Sequence, residues 1–521
     1  MRLPVACVVA GLSGFIALSY EILWVRTYAF ATEGPPDAFG LFMAAYLVGL
    51  ALGSFFAGEY CRRAAPGRPP QLALVGVVMA LTSSAAFLVI PATARLVSSR
   101  GLGASWPGVP AESTLPLFAV GAAGLGAGLP LLSHFAIPPD ERAGGRLSYV
   151  VIGNIVGSAL GSLATGLWLL DSISLRGLNT ALATAGAALG GALVVTGLTR
   201  PLSRVVLGAT AALLCGLFAW SSPALHDQLY ERLLYKDEFV TGERFAHTVE
   251  GRSGVVNLTT SGVVYGNGSY DGQTNTDPIP RPDDNRVLRA YLVPAFHPRP
   301  REILMVGLGA GAWLQVLAKL DEVTRITVVE IDPGYVEVMR QTPTLASALE
   351  NPKVEIVIDD GRRHLGRASR RFDVIIQNTI VYWRAHAANL LSREYLAMTR
   401  GRLQPGGVLY LNATYSAAAQ KTTAMTFPYV MRYQNMLIAS DEPINVDRGR
   451  FERKLEQWRI DGRPVLPPGV RAAELDLLRE QDWRGIPTWE SRESILRRTQ
   501  DQPVITDDNM ANEWWDLDTY P

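Results

Sequence analysis

Seven runs of apolar residues fill the first part of the chain, near residues 3–20, 38–58, 71–95, 113–137, 148–170, 178–198 and 203–221. A helix crosses a hydrocarbon core of about 30 Å with roughly 20 apolar residues, so each run predicts a spanning helix. Small residues recur every fourth position in two of them, Gly49, Gly53 and Ala57 in one and Gly153, Gly157 and Gly161 in another. That spacing puts them on one helix face and lets neighbouring backbones approach closely. From about His226 the pattern changes. Residues 226–250 predict a helical linker, 254–265 a hairpin broken at Ser261-Gly262, and 286–296 a helix. Then short apolar runs alternate with amphipathic ones. Strands are expected at Glu302–Val306, Ile326–Val329, Val354–Ile358, Phe372–Ile376 and Val408–Asn412, with helices between them. Such alternation indicates a parallel sheet covered on both faces. Beyond residue 415 a strand pair is expected over 427–438, with helices over 471–481 and 490–498. The division predicted is a multi-pass transmembrane domain over 1–222, a linker and small β-rich segment over 223–300, an α/β domain over 301–440, and a C-terminal extension over 441–521.

Composition sharpens this division. No lysine occurs before Lys236, whereas the second part is charged and aromatic. The formal net charge is zero, which gives no electrostatic reason to expect a nucleic-acid partner. Cys7, Cys61 and Cys215 all lie in the apolar part, so the second part has neither a disulfide framework nor a cysteine metal cluster, and no metal is expected. Glu21, Trp24 and Arg26 cluster where the first apolar run ends, and suit either an interfacial anchor or a functional group. Asn154 falls inside the fifth run, and His134 near the end of the fourth reads as interfacial.

Orientation is contested within the sequence. With the N-terminus inside, the inner loops hold Arg2, Arg62, Arg63, Arg68, Arg142, Arg146, Arg200 and Arg204, and the outer loops hold Arg26, Arg95, Arg100 and Arg176. The arginine rule favours that orientation, which after seven spans leaves the second part outside. The expectation adopted is nevertheless an inner-membrane protein with a cytoplasmic second part.

The chemistry sits at the strand ends. Gly307-Leu308-Gly309-Ala310-Gly311 follows the first strand directly and opens a helix, so backbone can approach a ligand with no Cβ in the way. Glu330 ends the second strand, where a carboxylate can accept both ribose hydroxyls of a nucleoside. Asp360-Gly361 ends the third, where an acid can take an adenine amino group. Ligands bind such sheets at the carboxyl ends of the strands. Gly307, Gly309, Gly311, Glu330, Asp360 and Gly361 are therefore the expected adenosyl-binding residues. A dinucleotide site is the rival reading, but the Pro405-Gly406-Gly407 turn suits methyltransferase-like sheets better.

The order of motifs VEIVIDDGRRHL, FDVII, NLLSREYL and LQPGGVLYLN, behind the loop NGSYDGQTNTD, resembles the spermidine synthase (polyamine aminopropyltransferase) family over roughly residues 250–415. The whole chain looks like a membrane-fused branch of it. The resemblance implies an N-terminal α-helical membrane bundle of about seven spans plus a C-terminal α/β Rossmann-like S-adenosylmethionine-dependent transferase domain with a small β-hairpin region before it. It implies S-adenosylmethionine or its decarboxylated form as co-substrate, and Asp271 and Thr274 at the entrance. Asn378 stands where the family has an aspartate that deprotonates the attacking amine, and an amide is no base. Asp271, Asp277, Tyr382 and His386 remain for acid–base work, with Tyr382 and Trp383 as pocket walls. Arg384 would disfavour a cationic polyamine. The expected partners are the lipid bilayer and a small acceptor, an amine or a lipid-like molecule; a homodimer is left open. Three functions are compatible: aminopropyl or related transfer to an amine, methyl transfer to a membrane-delivered acceptor, and non-catalytic nucleoside or polyamine binding.

Overall fold

The computed structural model describes residues 2–63, 72–99, 111–198, 200–279, 286–378, 384–413, 416–481 and 487–514. The chain divides into two compact units. The first comprises Met1–Arg244 with Glu250–Arg252, and the second Phe245–Val249 with Ser253–Pro521.

The first unit is helical. Among the described residues, seven of its helices are long and apolar enough to cross a membrane: α1 (Leu3–Thr32), α2 (Pro36–Arg63), α3 (Leu72–Val97), α4 (Glu112–Ala136), α5 (Ala143–Ser172), α6 (Leu175–Gly197) and α7 (Pro201–Leu225). A short helix α8 (Leu229–Tyr235) follows. The glycine rows do what their spacing implies. A Cβ on Gly153 would stand 2.7 Å from the carbonyl oxygen of Cys7, and one on Gly157 or Gly161 would collide with the carbonyls of Gly11 or Phe15, so α1 and α5 touch backbone to backbone. Gly49 and Gly53 meet Ala119 and Ala123 of α4 in the same way. Inside the fifth helix, Asn154 donates Nδ2–H to the carbonyl of Ala10 at 3.1 Å.

One expectation is corrected here. The first helix does not end before Glu21 but runs on to Thr32, because no glycine or proline interrupts the chain between Gly14 and Gly34-Pro35-Pro36. Trp24 is therefore no anchor at a helix end. It is fully buried, with its ring centroid 5.4 Å from that of Tyr20, 6.2 Å from Tyr46 and 6.1 Å from Phe118.

Among the described residues the second unit holds two larger sheets and a two-stranded ribbon. A four-stranded antiparallel-type meander runs in the order β1 (Phe245–Gly251), β2 (Gly254–Thr259), β3 (Val263–Gly266) and β4 (Ser269–Gln273). Gly262, at φ 86°, makes the turn between β2 and β3, a backbone conformation that costs a glycine little. The main sheet contains β5 (Glu302–Val306), β6 (Arg325–Glu330), β7 (Val354–Ile358), β8 (Phe372–Gln377), β9 (Leu403–Asn412), β10 (Tyr429–Tyr433) and β11 (Met436–Ser440). A small ribbon, β12 (Arg459–Ile460) with β13 (Arg463–Pro464), stands apart, and β14 (Trp489–Ser491) returns to the main sheet's edge. The eight strands of the main sheet lie in the order β14-β10-β11-β9-β8-β5-β6-β7.

From β9 to β7 the strands are parallel. The chain starts at β5, moves outward to β6 and β7, then returns to β8 on the other side of β5. The order thus reverses between β5 and β8, and at such a switch point the strand ends splay to leave a crevice. Alternate residues supply two cores: Ile303, Met305, Val374, Ile376 and Tyr410 on one face, Leu304, Val306, Ile375, Leu409 and Leu411 on the other. Helices α9 (Ala312–Leu317), α10 (Pro333–Arg340) and α11 (Gly361–Arg367) each follow one of β5, β6 and β7.

The C-terminal region departs from expectation in one place. The segment 471–481 is not a helix; only Ala472–Leu475 forms a single 3₁₀ turn, closed by Asp476 at φ 41°. Pro467, Pro468 and Gly469 precede it, and Asp476 in the left-handed region stops the turn after four residues.

Candidate functional site

The site grows from the turn after β5. Gly307, Gly309 and Gly311 adopt φ of 88°, 54° and 83°, conformations that side-chain-bearing residues rarely take. A Cβ on Gly309 would come within 3.1 Å of the carbonyl oxygen of Asp271, and one on Gly311 within 2.7 Å of the Met339 sulfur. The loop is thus wedged between β4 and α10, and glycine is required by space as well as by φ.

Glu330, at the end of β6, secures the same loop. One carboxylate oxygen accepts the backbone N–H of Leu308 at 2.7 Å, the other that of Asp332 at 3.0 Å. The side chain is only 5% exposed. Burial pushes its carboxyl up to about 7, against the pull of the two amide hydrogen bonds. Each oxygen keeps a further lone pair for a hydroxyl donor. Asp332 caps α10 by accepting from Gly334 N–H at 2.8 Å.

Asp271 approaches from the meander. It accepts a short hydrogen bond from the Tyr335 hydroxyl of α10. Burial pushes its carboxyl above the ordinary aspartate value, opposed chiefly by the positive charge of Arg384. Arg384 donates Nη2–H to the carbonyl of Gly266 at 2.8 Å. Gly266 has to be glycine, since a Cβ there would strike both the Tyr335 hydroxyl and the Asp271 carboxylate. Asp271, Tyr335 and Arg384 therefore form one cluster beside the glycine loop.

The remaining expected residues are placed as follows. Asp360 is the cap of α11, with Oδ1 accepting from Arg363 N–H at 2.7 Å, and is exposed. Gly361 packs under β5, where a Cβ would lie 2.5 Å from Val306 Cγ1. Asn378 follows the last residue of β8. Because Gln377 pairs with Val306, Asn378 lies across the crevice from Gly307. His386, exposed at φ 68°, is held through its backbone N–H by Glu513 at 2.9 Å. Tyr382 and Trp383 lie outside the described residues. Among the described residues, no group of three His, Cys, Asp or Glu is placed to hold a metal ion.

Sequence reasoning missed Tyr335, Arg289, Asn412 and Asn435. Asn412 had a usable signal, as the polar end of an otherwise apolar strand. The other three are brought in by tertiary packing from α10, the segment before β5 and the β10–β11 turn.

With this geometry, the family match falls on the part of the chain that carries it. The model of the spermine/spermidine synthase domain matches residues 290–432, from the helix before β5 to β10. Residues 290–432 are a spermine/spermidine synthase domain. The chain is 31% identical over 211 residues to a polyamine aminopropyltransferase of Aeropyrum pernix, covering 36% of this chain and 66% of the relative. It is 29% identical over 193 residues to polyamine aminopropyltransferase 2 of Pseudomonas aeruginosa, covering 32% and 55%. The chain thus spans from just over half to about two thirds of the length of these two relatives. Among solved structures, spermidine synthase from Thermotoga maritima aligns at 20% identity and a TM-score of 0.34, covering 42% of this chain and 78% of that one. The synthase domain follows the seven-helix unit in a single polypeptide, with the glycine loop, Glu330 and Asn378 inside the matched span and Asp271 just before it.

Proposed function

We propose that this protein is a membrane-bound transferase that binds S-adenosylmethionine or its decarboxylated form and transfers an aminopropyl or related alkyl group to an amine. The observation that carries this reading is the coupling of Glu330 to the glycine loop within a spermine/spermidine synthase domain. A buried acid already pinned by two amides, with lone pairs to spare, suits a pair of ribose hydroxyls. The loop's missing Cβ atoms leave room for the nucleoside against the backbone.

When bound, the sulfonium supplies an electrophilic methylene carbon. The chain's own residues would then act on the acceptor. Asp271, with its carboxyl raised by burial, takes the proton that the amine gives up as its nitrogen bonds to that carbon. The carbon–sulfur bond breaks, its electron pair goes to sulfur, and a neutral thioether leaves. Tyr335 fixes the Asp271 carboxylate, and the positive charge of Arg384 works against the upward push of burial. Support for the membrane reading is the first unit's seven apolar helices, which have the length to span.

Titration calorimetry of the purified full chain with S-adenosylmethionine, its decarboxylated form and methylthioadenosine tests the reading. Binding is expected, strongest for the decarboxylated form. No binding by any of the three would refute it; preference for intact S-adenosylmethionine would redirect it to methyl transfer.

A further inference from the structure

Four polar side chains, from the segment before β5, the β10–β11 turn and the ends of β9 and β8, form one directed chain. Arg289 donates Nη1–H to Oδ1 of Asn435 at 2.7 Å. Asn435 donates Nδ2–H to Oδ1 of Asn412 at 2.9 Å, and Asn412 donates Nδ2–H to Oδ1 of Asn378 at 3.0 Å. The direction is forced by chemistry, because a guanidinium can only donate. Asn435 must meet it with oxygen and has only its –NH2 left for Asn412. The same constraint passes through Asn412 to Asn378, whose oxygen is turned to Asn412 and whose –NH2 therefore faces the other way. Among the described residues that –NH2 has no partner.

The place of this group matters as much as its polarity. Asn378 lies at the crevice where the strand order reverses, across from Gly307. An amide –NH2 offers hydrogens and no lone pair, so it opposes an ammonium and suits an anionic oxygen. Arg289 and Asn435 are buried, 7% and 8% exposed, and in such surroundings a reversed amide leaves two like poles facing each other at a cost that solvent does not screen. Arg384 adds positive charge to the same loop region.

We propose that Asn378 is a fixed hydrogen-bond donor to a carboxylate of the acceptor, which is therefore an amine that also carries a carboxylate and not a diamine. This rests on the transferase reading above and names its substrate class. Arg289, Asn435 and Asn412 are positioning residues that set the polarity of Asn378.

The relay makes the idea testable at a distance. Asn378→Asp keeps the bond from Asn412 and replaces the donor by an acceptor. Asn435→Asp accepts from Arg289 and must also accept from Asn412; Asn412 then turns its oxygen to Asn378, which turns its own oxygen to the crevice. The purified full chain, saturated with methylthioadenosine, is titrated with 4-aminobutanoate and with 1,4-diaminobutane. The unmodified chain is expected to favour the carboxylate probe by roughly tenfold, the worth of one charge-assisted hydrogen bond. Both variants are expected to invert the ratio, an effect that mere loosening of the strand ends would not produce. Should methylthioadenosine, S-adenosylmethionine and its decarboxylated form all fail to bind, the transferase reading falls. With methylthioadenosine bound, preference for the diamine, or binding of neither probe, overturns the acceptor inference alone. Inversion by Asn378→Asp but not by Asn435→Asp overturns the relay.

Discussion

Glu330 carries the most informative single proton in the site. Its carboxyl is raised from 4.5 to about 7 mainly by burial. Ribose hydroxyls need the ionised form as acceptor, so binding is expected to expel the proton below that value. The adenosyl affinity should fall roughly tenfold per pH unit below about 7, and calorimetry in buffers of different ionisation enthalpy should detect up to one proton released. The stability consequence has the opposite sense. Between the two values the native state holds more protons than the unfolded one, so the ligand-free protein should lose stability as pH rises through this window. Glu330→Ala should weaken adenosyl binding at least about 100-fold, since it removes both the ribose partner and the support of Leu308. Asp271 is the contrasting case. Asp271→Asn keeps an oxygen for the Tyr335 hydroxyl but no base, so the rate of transfer should drop by about 10²–10⁴-fold with adenosyl affinity nearly unchanged. An equal loss in both would remove Asp271 from the chemistry and leave it as a support for the loop.

At the level of elements, patterns that are local were legible and patterns that depend on packing were not. The bounds of β5 and β7 follow from short apolar runs, and the glycine loop and Glu330 from their place at consecutive strand ends. The extent of α1 was misjudged because Glu21 and Arg26 lower the hydropathy of a segment whose backbone has no reason to stop. The asparagine relay was invisible because its members lie far apart in sequence, Asn435 being separated from Arg289 by 146 positions. Tyr335 has no sequence signal beyond an amphipathic helix. The small-residue rows were legible, and they yield a prediction. Gly157→Leu should drive α1 and α5 apart, because a side chain there meets the Gly11 carbonyl, whereas Gly216→Leu in α7 meets nothing within 4 Å. Overpacking of this kind costs about 1–3 kcal/mol or more, so thermal unfolding in detergent should shift for the first variant and not for the second. Equal shifts would mean that the row does not bear the helix contact.

For the whole molecule, the proposed membrane-bound reading carries a question of its own: with seven helices long enough to span, which side the synthase domain would face. Two forces oppose each other. The loop arginines, Arg62, Arg63, Arg142 and Arg146 among them, favour the N-terminus inside, and seven spans then carry the domain outward. The proposed chemistry demands the reverse, because S-adenosylmethionine is made in the cytoplasm and a charged sulfonium does not cross a bilayer unaided. The arginine bias decides orientation by small increments per residue, whereas a domain cut off from its donor has no activity at all. The expected arrangement is therefore a cytoplasmic domain, with the N-terminus outside. Green fluorescent protein fused after Pro521 should fluoresce and alkaline phosphatase in its place should be inactive, with the chain sedimenting in the membrane fraction and resisting alkaline extraction. A dark fluorescent fusion with an active phosphatase would put the domain outside. Glu330 and the glycine loop would then have to serve a nucleoside available there, and aminopropyl transfer would lose its donor.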